Sequence, residues 1–238
     1  MKPRIFIGTE PNQYVTQRVL QFSIDLHADG SVETIPVRQK LARVGGTNFG
    51  FVRFQVPSFT SYSGKAVYID ADQVVLDDIN QLVNSLPNEF SIGLVTKPEG
   101  TFNNKVIPEG NQTSVMVLDC SKLSDWRIPE MFSNVVPNRE SLLDGQIHYR
   151  DFMTLKWFDQ SLVYSLAPTW NHFNLVRSDT KIVHFSHVRT QPWKNPAHEL
   201  SDWWNDWLVR AVNARYISRA RLRFEILRGH IDSRFMIR

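Results

Sequence analysis

The sequence predicts an α/β domain with a mostly parallel central sheet and a basic helical extension at its C-terminus. Short apolar runs that end at glycine or polar residues alternate with longer stretches of helical character, as in layered α/β domains. Residues 201–238 contain no strand-like run and are rich in Trp and Arg. We therefore expect one domain over residues 1–200 and a Trp/Arg-rich helical extension over residues 201–238.

Strands are predicted where apolar, often β-branched or aromatic residues are bounded by polar or turn residues. The first run, RIFIGT, ends just after Gly8, and the clearest run, GKAVYI, has four apolar residues followed abruptly by Asp70. In chain order the predicted strands are Arg4–Thr9, Ser31–Val37, Gly64–Ile69, Phe90–Thr96, Thr113–Leu118 and Lys181–Phe185. Ligands of such sheets lie beyond the carboxyl ends of the strands. We therefore expect Asp70 and Asp72 at the ligand edge.

Helices are predicted where apolar residues recur at helical spacing. In chain order they are the first half of Pro11–Leu26, Ile79–Leu86, Ser141–Phe158 and Leu200–Arg228. The segment Asn48–Val56 (NFGFVRFQV) is either a helix or an irregular apolar stretch that leads to Pro57.

Charge is unevenly distributed along the chain. The 238 residues carry a net charge of +3, but residues 209–238 hold eight Arg against Glu225 and Asp232. The tail therefore carries +6 and the body −3, which argues against nucleic acid binding spread over the fold. The Trp cluster Trp203, Trp204 and Trp207 precedes most of these Arg residues. Aromatic and basic residues on one helix suit an anionic membrane surface. The alternative is a solvated helix whose Trp residues pack on the core.

The single cysteine, Cys120, excludes a disulfide scaffold and a cysteine-based zinc cluster. The N-terminal apolar run Ile5–Ile7 is too short for a secretory signal, which needs about 7–15 apolar residues. No stretch approaches the roughly 18 apolar residues of a membrane span. We expect a cytoplasmic protein, with a peripheral attachment to the inner face of the membrane through its tail.

Two carboxylates follow the clearest strand. Residues two apart on an extended segment point to the same side, so Asp70 and Asp72 can converge on one hard cation such as Mg²⁺ or Mn²⁺. The alternative is a polar strand end whose Asp residues cap a turn. An EF-hand is excluded, because the loop from Asp70 to Val75 lacks glycine at its sixth position.

The segment VYIDADQVVLDDINQLV resembles the retaining nucleotide-sugar glycosyltransferases of the GT-A fold. It is most similar to glycosyltransferase family 8, to which glycogenin and bacterial lipooligosaccharide galactosyltransferases belong. The resemblance extends in order from Arg4 to Asn195. It implies a Rossmann-like GT-A domain in which Asp70 and Asp72 bind the metal, and it assigns Asp78 a structural role.

The other matching segments imply further donor contacts. IFIGTEPNQYV places Tyr14 against the uracil, and FVRFQVP brings Arg53 to the nucleotide or its sugar. NQTSVMVLDC implies donor-sugar contacts from Gln112 and Thr113, although Ser114 stands where glycine is usual. The implied donor and metal set is Tyr14, Arg53, Asp70, Ala71, Asp72, Gln112, Thr113, His184, Arg189 and Lys194.

The C-terminal match is KIVHFSHVRTQPWKNP. It implies that His184 is the third metal ligand, with His187 as a competitor. Gln191 stands where the family has Lys, so the phosphate charge would be met by Arg189 or Lys194 instead.

In LLDGQIHYRD, Asp144 and Gln146 match the family's acidic–Gln pair near the anomeric carbon, but Gly145 separates them. Trp170 and Asn171, in the stretch PTWN, are interpreted either as core and turn residues or as part of the acceptor side.

The resemblance implies a Mn²⁺- or Mg²⁺-dependent retaining transfer of a hexose from a UDP-sugar to a glycan, lipid-linked or protein acceptor. An alternative is a weakly active or inactive nucleotide-sugar- or carbohydrate-binding protein on the same fold, which the departures at Ser114, Gly145 and Gln191 favour. A nucleotidyltransferase ranks lower, because Gly8–Thr9–Glu10–Pro11 lacks a Gly-rich, basic phosphate loop.

Overall fold

A computed structural model describes residues 2–38, 50–97, 100–102, 105–107, 109–126, 128–138 and 140–236. Its strands are β1 (Arg4–Gly8), β2 (Glu33–Val37), β3 (Lys65–Asp70), β4 (Gln73–Val75), β5 (Ile92–Lys97), β6 (Gly100–Phe102), β7 (Lys105–Ile107), β8 (Gly110–Asp119), β9 (Val135–Val136), β10 (Ile147–His148), β11 (Val163–Ser165), β12 (His172–Phe173) and β13 (Ile182–His184). Its α-helices are α1 (Tyr14–Ala28), α2 (Val56–Phe59), α3 (Ile79–Val83), α4 (Ile128–Phe132), α5 (Tyr149–Met153), α6 (Ser201–Asn213) and α7 (Arg219–Leu227). All six predicted strands are present.

The central sheet has six strands in the order β11-β5-β8-β3-β1-β2. β1 pairs in parallel with both β2 and β3, and β11 pairs in parallel with β5. β8 runs antiparallel to both of its neighbours, β3 and β5. The predicted α/β class with a mostly parallel sheet is therefore confirmed. A smaller sheet, in the order β12-β13-β4, lies beside the end of β3.

Both faces of the central sheet are buried, which explains why its inner strands are continuous apolar runs. Alternate residues of β1 enter separate hydrophobic clusters: Ile5 and Ile7 enter one, and Phe6 enters the other. In β3, Val67 and Tyr68 are likewise divided between the two. Asp70 is the last residue of β3, so it lies at the edge of the sheet, where these two hydrophobic clusters end.

Two helix predictions were wrong in extent. Ser141–Phe158 is helical only over Tyr149–Met153. Before this helix, Gly145 adopts a φ of 75° and Gln146 N–H bonds the Leu143 carbonyl in a turn, and after it Leu155 adopts a φ of 57°. A left-handed residue at this point ends any regular helix.

The second is Leu200–Arg228, which forms two helices rather than one. Arg215 has a φ of 64°, and Ser218 then caps α7 by accepting from Arg221 N–H. The first predicted helix, by contrast, runs further than expected, over the whole of Tyr14–Ala28.

The ambiguous segment Asn48–Val56 is a turn at residues 50–51 and helical from Val52 onward. Val52–Gln55 form a 3₁₀ turn that continues into α2, whereas residues 48 and 49 lie outside the described residues. Arg238 of the basic tail also lies outside them.

The C-terminal helices pack against α1 and bury a third hydrophobic cluster. Trp204 and Trp207 are buried in it together with Val19 of α1. Arg18 Nε donates to the Tyr216 carbonyl at 2.7 Å, and Tyr216 Oη donates to the Asp25 carboxylate at 2.6 Å. Within the described ranges, no helix has the length and apolar character that crossing a membrane requires.

Candidate metal centre at the edge of the sheet

Three side chains meet at the carboxyl end of β3. Asp70, Asp72 and His184 are all buried, and each offers a ligand atom within 4.8 Å of the others. Asp70 ends β3, Asp72 lies in the turn to β4, and antiparallel pairing of β4 with β13 sets Gln73 opposite His184. The Phe185 N–H also donates to the Asp72 carbonyl at 3.0 Å. Among the described residues, this is the group whose geometry could hold a metal ion. Its three members are the metal ligands that the family resemblance implied.

The Asp72 carboxylate is only partly satisfied. Its Oδ2 accepts from Gln191 Nε2 at 3.1 Å, and the same amide donates to the Phe185 carbonyl at 2.9 Å. Its Oδ1 is buried without a hydrogen-bond donor and lies 3.4 Å from His184 Nε2. A buried acceptor without a partner is costly. A cation between Asp72 Oδ1 and His184 Nε2 would supply that partner.

The Asp70 carboxylate is held by Arg53 and Tyr68. Arg53 Nη2 donates to both carboxylate oxygens at 3.0 Å, and Tyr68 Oη donates to Oδ1 at 2.6 Å. Burial raises the pKa of Asp70, the Arg53 charge opposes that rise, and the Asp72 charge adds to it. Arg53 therefore pairs with Asp70, whereas among the described residues the ion-pair contact of Asp72 is with His184.

Gly8 makes room for the Tyr68 hydroxyl. Parallel pairing sets Gly8 beside Asp70, and the Gly8 carbonyl accepts from Ala71 N–H at 2.9 Å. A Cβ atom on Gly8 would lie 1.8 Å from Tyr68 Oη. A glycine at the end of β1 therefore lets the phenol reach the Asp70 carboxylate.

A register shift in β8 turns two hydroxyl side chains toward the centre. Leu94 of β5 pairs with Met116, but the next residue, Val95, pairs with Gln112, so three residues of β8 bulge away from β5. Such bulges often re-aim side chains beside active sites. Thr113 Oγ1 accepts from Arg53 Nη1 at 2.7 Å, and Ser114 Oγ lies 3.3 Å from His184 Nδ1.

These residues fit a hard divalent cation. Two carboxylates and a neutral imidazole are a donor set that suits Mn²⁺, and Mg²⁺ also accepts carboxylate ligands. A cation at this position would supply the partner that the buried Asp72 Oδ1 lacks. Asp78 is not a member of the metal group, and it instead caps α3 by accepting from Asn80 N–H.

The other residues predicted to contact the donor have these local contacts. Tyr14 begins α1 just beyond the end of β1, and the Arg221 guanidinium lies 4.4 Å from its ring centroid. Ala71 is buried between the two Asp residues, and Gln112 Nε2 donates to the Gly110 carbonyl at 3.3 Å. Their contacts with a donor stay predictions.

The loop after β13 carries the residues considered for the phosphates. Arg189 is exposed. Burial lowers the pKa of Lys194, and the charges of Asp72 and Glu10 oppose that shift, so its ammonium group lies within the field of the metal centre. His187 Nδ1 lies 2.7 Å from Thr190 Oγ1, and it is His184 that joins the two Asp residues.

The loop with Asp144 and Gln146 is held by its own contacts. Asp144 is exposed, and Gln146 Oε1 accepts from Leu143 N–H at 2.9 Å. Their proposed place near the anomeric carbon stays a prediction.

Tyr68, Tyr149 and Gln191 were not predicted as site residues, and Asn171 was predicted only as a core and turn residue or as part of the acceptor side. Tyr68 could have been found, because it lies two residues before Asp70 on a strand and therefore points to the same side. Burial raises the pKa of Tyr149, on which the charges of Arg53 and Asp70 also act, so its phenol lies near them. Nothing in the local sequence indicates that contact.

An open cavity of about 460 Å³ lies at the same edge of the sheet, between β5, β8 and β11. Amide and hydroxyl side chains line it, among them Thr96, Asn111, Gln160 and Ser165. Asn111 lies two residues before Thr113 on β8, about 7 Å along the strand.

No family model matches the chain. Protein CDI of Arabidopsis thaliana is 26% identical over 218 residues, which cover 80% of this chain and 79% of that protein.

Three solved structures share the fold. GlyE of Streptococcus pneumoniae TIGR4, a glycosyltransferase, has a TM-score of 0.65 at 14% identity, over 93% of this chain and 64% of that one. The galactosyltransferase LgtC, in complex with donor and acceptor sugar analogues, has a TM-score of 0.61 at 13% identity, over 89% and 95%. The bifunctional glycosyltransferase WbbM has a TM-score of 0.63 at 15% identity, over 87% of this chain and 49% of that one. The chain thus spans about half of WbbM. With its mostly parallel sheet and the group at its edge, the protein has the GT-A fold of glycosyltransferases.

Proposed function

We propose that the protein is a metal-dependent retaining glycosyltransferase that moves a hexose from a UDP-sugar to a glycan, lipid-linked or protein acceptor. One observation carries the proposal: a buried Asp–Asp–His group with an orphaned carboxylate oxygen lies at the ligand edge of a GT-A fold. The two carboxylates favour a bound metal cation, and that cation would attract the diphosphate of the nucleotide.

Asp70, Asp72 and His184 would hold Mn²⁺ or Mg²⁺. The bound ion supplies Lewis-acid stabilisation of the charge that develops on the leaving nucleoside diphosphate. Arg53 and Tyr68 keep the Asp70 carboxylate in place, and Gln191 does the same for Asp72.

Lys194 is the proposed partner of the diphosphate. Gln191 is engaged with Asp72 and the Phe185 carbonyl, and it carries no charge. Lys194 lies within the field of Asp72 and is a flexible point charge of the kind that binds phosphates. We expect Lys194→Ala to raise the KM for the donor more than Arg189→Ala does, and equal effects would contradict this assignment.

The remaining donor contacts follow the family resemblance. Tyr14 would stack on the uracil, and Arg53 would reach the nucleotide or its sugar. Gln112 and Thr113 would contact the donor sugar, and Asp144 and Gln146 would lie near the anomeric carbon. The polar cavity beside β8 suits the hydroxyl groups of a carbohydrate acceptor.

The test is release of UDP from a panel of UDP-sugars with Mn²⁺ present. We expect wild-type turnover, and its loss in Asp70→Ala and Asp72→Ala variants that stay folded. Full activity of both variants in excess chelator contradicts the metal assignment. Binding of UDP and Mn²⁺ by calorimetry, with no hydrolysis or transfer across the panel, favours the nucleotide-sugar-binding alternative.

We also propose that α7 contacts the anionic inner face of a membrane from the cytoplasm. Arg223, Phe224, Leu227 and Arg228 recur at helical spacing on its outer side, with Phe224 47% and Leu227 83% exposed. The acidic residue of the helix, Glu225, is buried and paired with Arg221. Exposed apolar and basic groups on one face suit the headgroup region of anionic lipids.

Vesicle sedimentation tests this contact. Point variants are used instead of a deletion of the tail, because the C-terminal helices pack on α1. We expect binding to phosphatidylglycerol vesicles but not to phosphatidylcholine vesicles, and loss of binding in a Phe224→Ser/Leu227→Ser variant that retains its Mn²⁺ affinity. Unchanged sedimentation of that variant contradicts the proposal.

A further inference from the structure

The imidazole of His184 has polar neighbours on the side away from Asp72. Its Nδ1 lies 3.0 Å from Asn171 Oδ1 and 3.3 Å from Ser114 Oγ. Asn171 is 6% exposed and ends the 3₁₀ turn Pro168–Asn171, directly before β12, which pairs with β13. The backbone therefore fixes where the Asn171 amide meets the imidazole.

The same amide bonds Ser114 through its other end. Asn171 Nδ2 donates to Ser114 Oγ at 3.0 Å, and Asn171 Oδ1 faces His184 Nδ1. A carbonyl oxygen only accepts, so Nδ1 must carry the hydrogen. In a neutral imidazole the lone pair then lies on Nε2.

This tautomer leaves the centre ready for a cation. His184 Nε2 faces the orphaned Asp72 Oδ1 at 3.4 Å, so two lone-pair atoms converge on one point. With the amide reversed, Nδ1 would accept and Nε2–H would donate to Asp72, which would occupy the position of the metal.

We propose that Asn171, which is bonded to Ser114, is a positioning residue that holds His184 in the tautomer that binds the metal. The inference rests on the metal centre of the proposed function. Hydrogen bonds of this kind from a metal-binding histidine typically change metal affinity 10–100-fold. Ser114 stands where the resembled family has glycine, so the Ser114–Asn171 bond is a property of this chain.

The test measures Mn²⁺ dissociation constants by titration calorimetry and foldedness by thermal unfolding. We expect Asn171→Ala to raise the Kd about 10–100-fold. Asn171→Asp, which keeps an acceptor oxygen, should recover most of the affinity. Thr180→Val is the matched control, because Thr180 is buried and its hydroxyl lies 2.8 Å from Nδ1 of another histidine, His172. Its Kd should equal that of the wild type.

A second variant covers the case in which Asn171→Ala does not fold. Ser114→Gly removes the hydroxyl that bonds the Asn171 amide, and it should also raise the Kd. Nitrogen-15 NMR of the imidazole should show the Nδ1–H tautomer in the wild type. A folded Asn171→Ala or Ser114→Gly variant with wild-type Kd, or an Nε2–H tautomer in the wild type, overturns the proposal. If the wild type binds no Mn²⁺, the metal centre itself is refuted, which is a distinguishable result.

Discussion

Replacing Arg53 with Met in metal-free protein should strongly destabilise the fold. The side chains of Arg53 and Asp70 are each 8% exposed and lie 3.0 Å apart. Removing one partner of such a buried pair leaves an uncompensated charge and costs about 3–5 kcal/mol. For a domain of this size, about 2–4 °C of Tm per kcal/mol gives a loss of roughly 6–20 °C.

The loss should depend on pH in a defined direction. Burial already raises the pKa of Asp70, and removing Arg53 raises it further. A carboxyl group whose folded pKa exceeds its unfolded value of 3.8 destabilises the protein above the folded pKa. That penalty disappears as the pH falls below the unfolded value, so the variant should differ least from wild type in acid.

Urea unfolding in the presence of chelator measures the effect. The double variant Arg53→Met/Asp70→Asn should lose less unfolding free energy than the two single variants lose together, by about 2 kcal/mol or more. Lys156→Met is the control, because the Lys156–Asp151 pair is exposed at 63% and 32% and should contribute about 0–1 kcal/mol. A loss below about 1 kcal/mol at unchanged m-value, or additive losses in the double variant, refutes the reasoning.

Three further predictions use other parts of the site and core. Gly8→Ala should displace Tyr68 and destabilise the fold by about 1–3 kcal/mol, as measured in urea. Burial raises the pKa of Cys120 to about 11, so at pH 8 Ellman's reagent should label it only after unfolding. Rapid labelling of the native protein contradicts that burial. Because the pKa of Asp70 is raised, protons should compete with Mn²⁺ and the Kd should increase from pH 8 to pH 5; a constant Kd contradicts it.

The strands and the Asp pair were predictable because their signals are local. GKAVYI followed by Asp70 carries both the apolar run and the carboxylates within a few residues. β11 (Val163–Ser165) was not predicted. The helix expected over Ser141–Phe158 failed because two left-handed residues, Gly145 and Leu155, interrupt it despite the apolar spacing.

The surroundings of the metal centre were not predictable from local pattern. Asn171 and Ser114 are 57 residues apart, and Gln191 and Asp72 are 119 residues apart. The register shift in β8 and the pairing of β4 with β13 bring these residues together. Their roles are therefore properties of the folded chain.

During synthesis, the contact between α1 and the C-terminal helices can form only late, because α1 is made long before those helices. Arg18 and the Tyr216 carbonyl that it bonds are separated by 198 residues. At about 5–20 residues per second, the ribosome takes roughly 10–40 s to deliver the second partner after the first. During that interval the apolar side of α1 has no C-terminal cover. The nascent chain therefore presents a chaperone-binding surface until its last helices emerge.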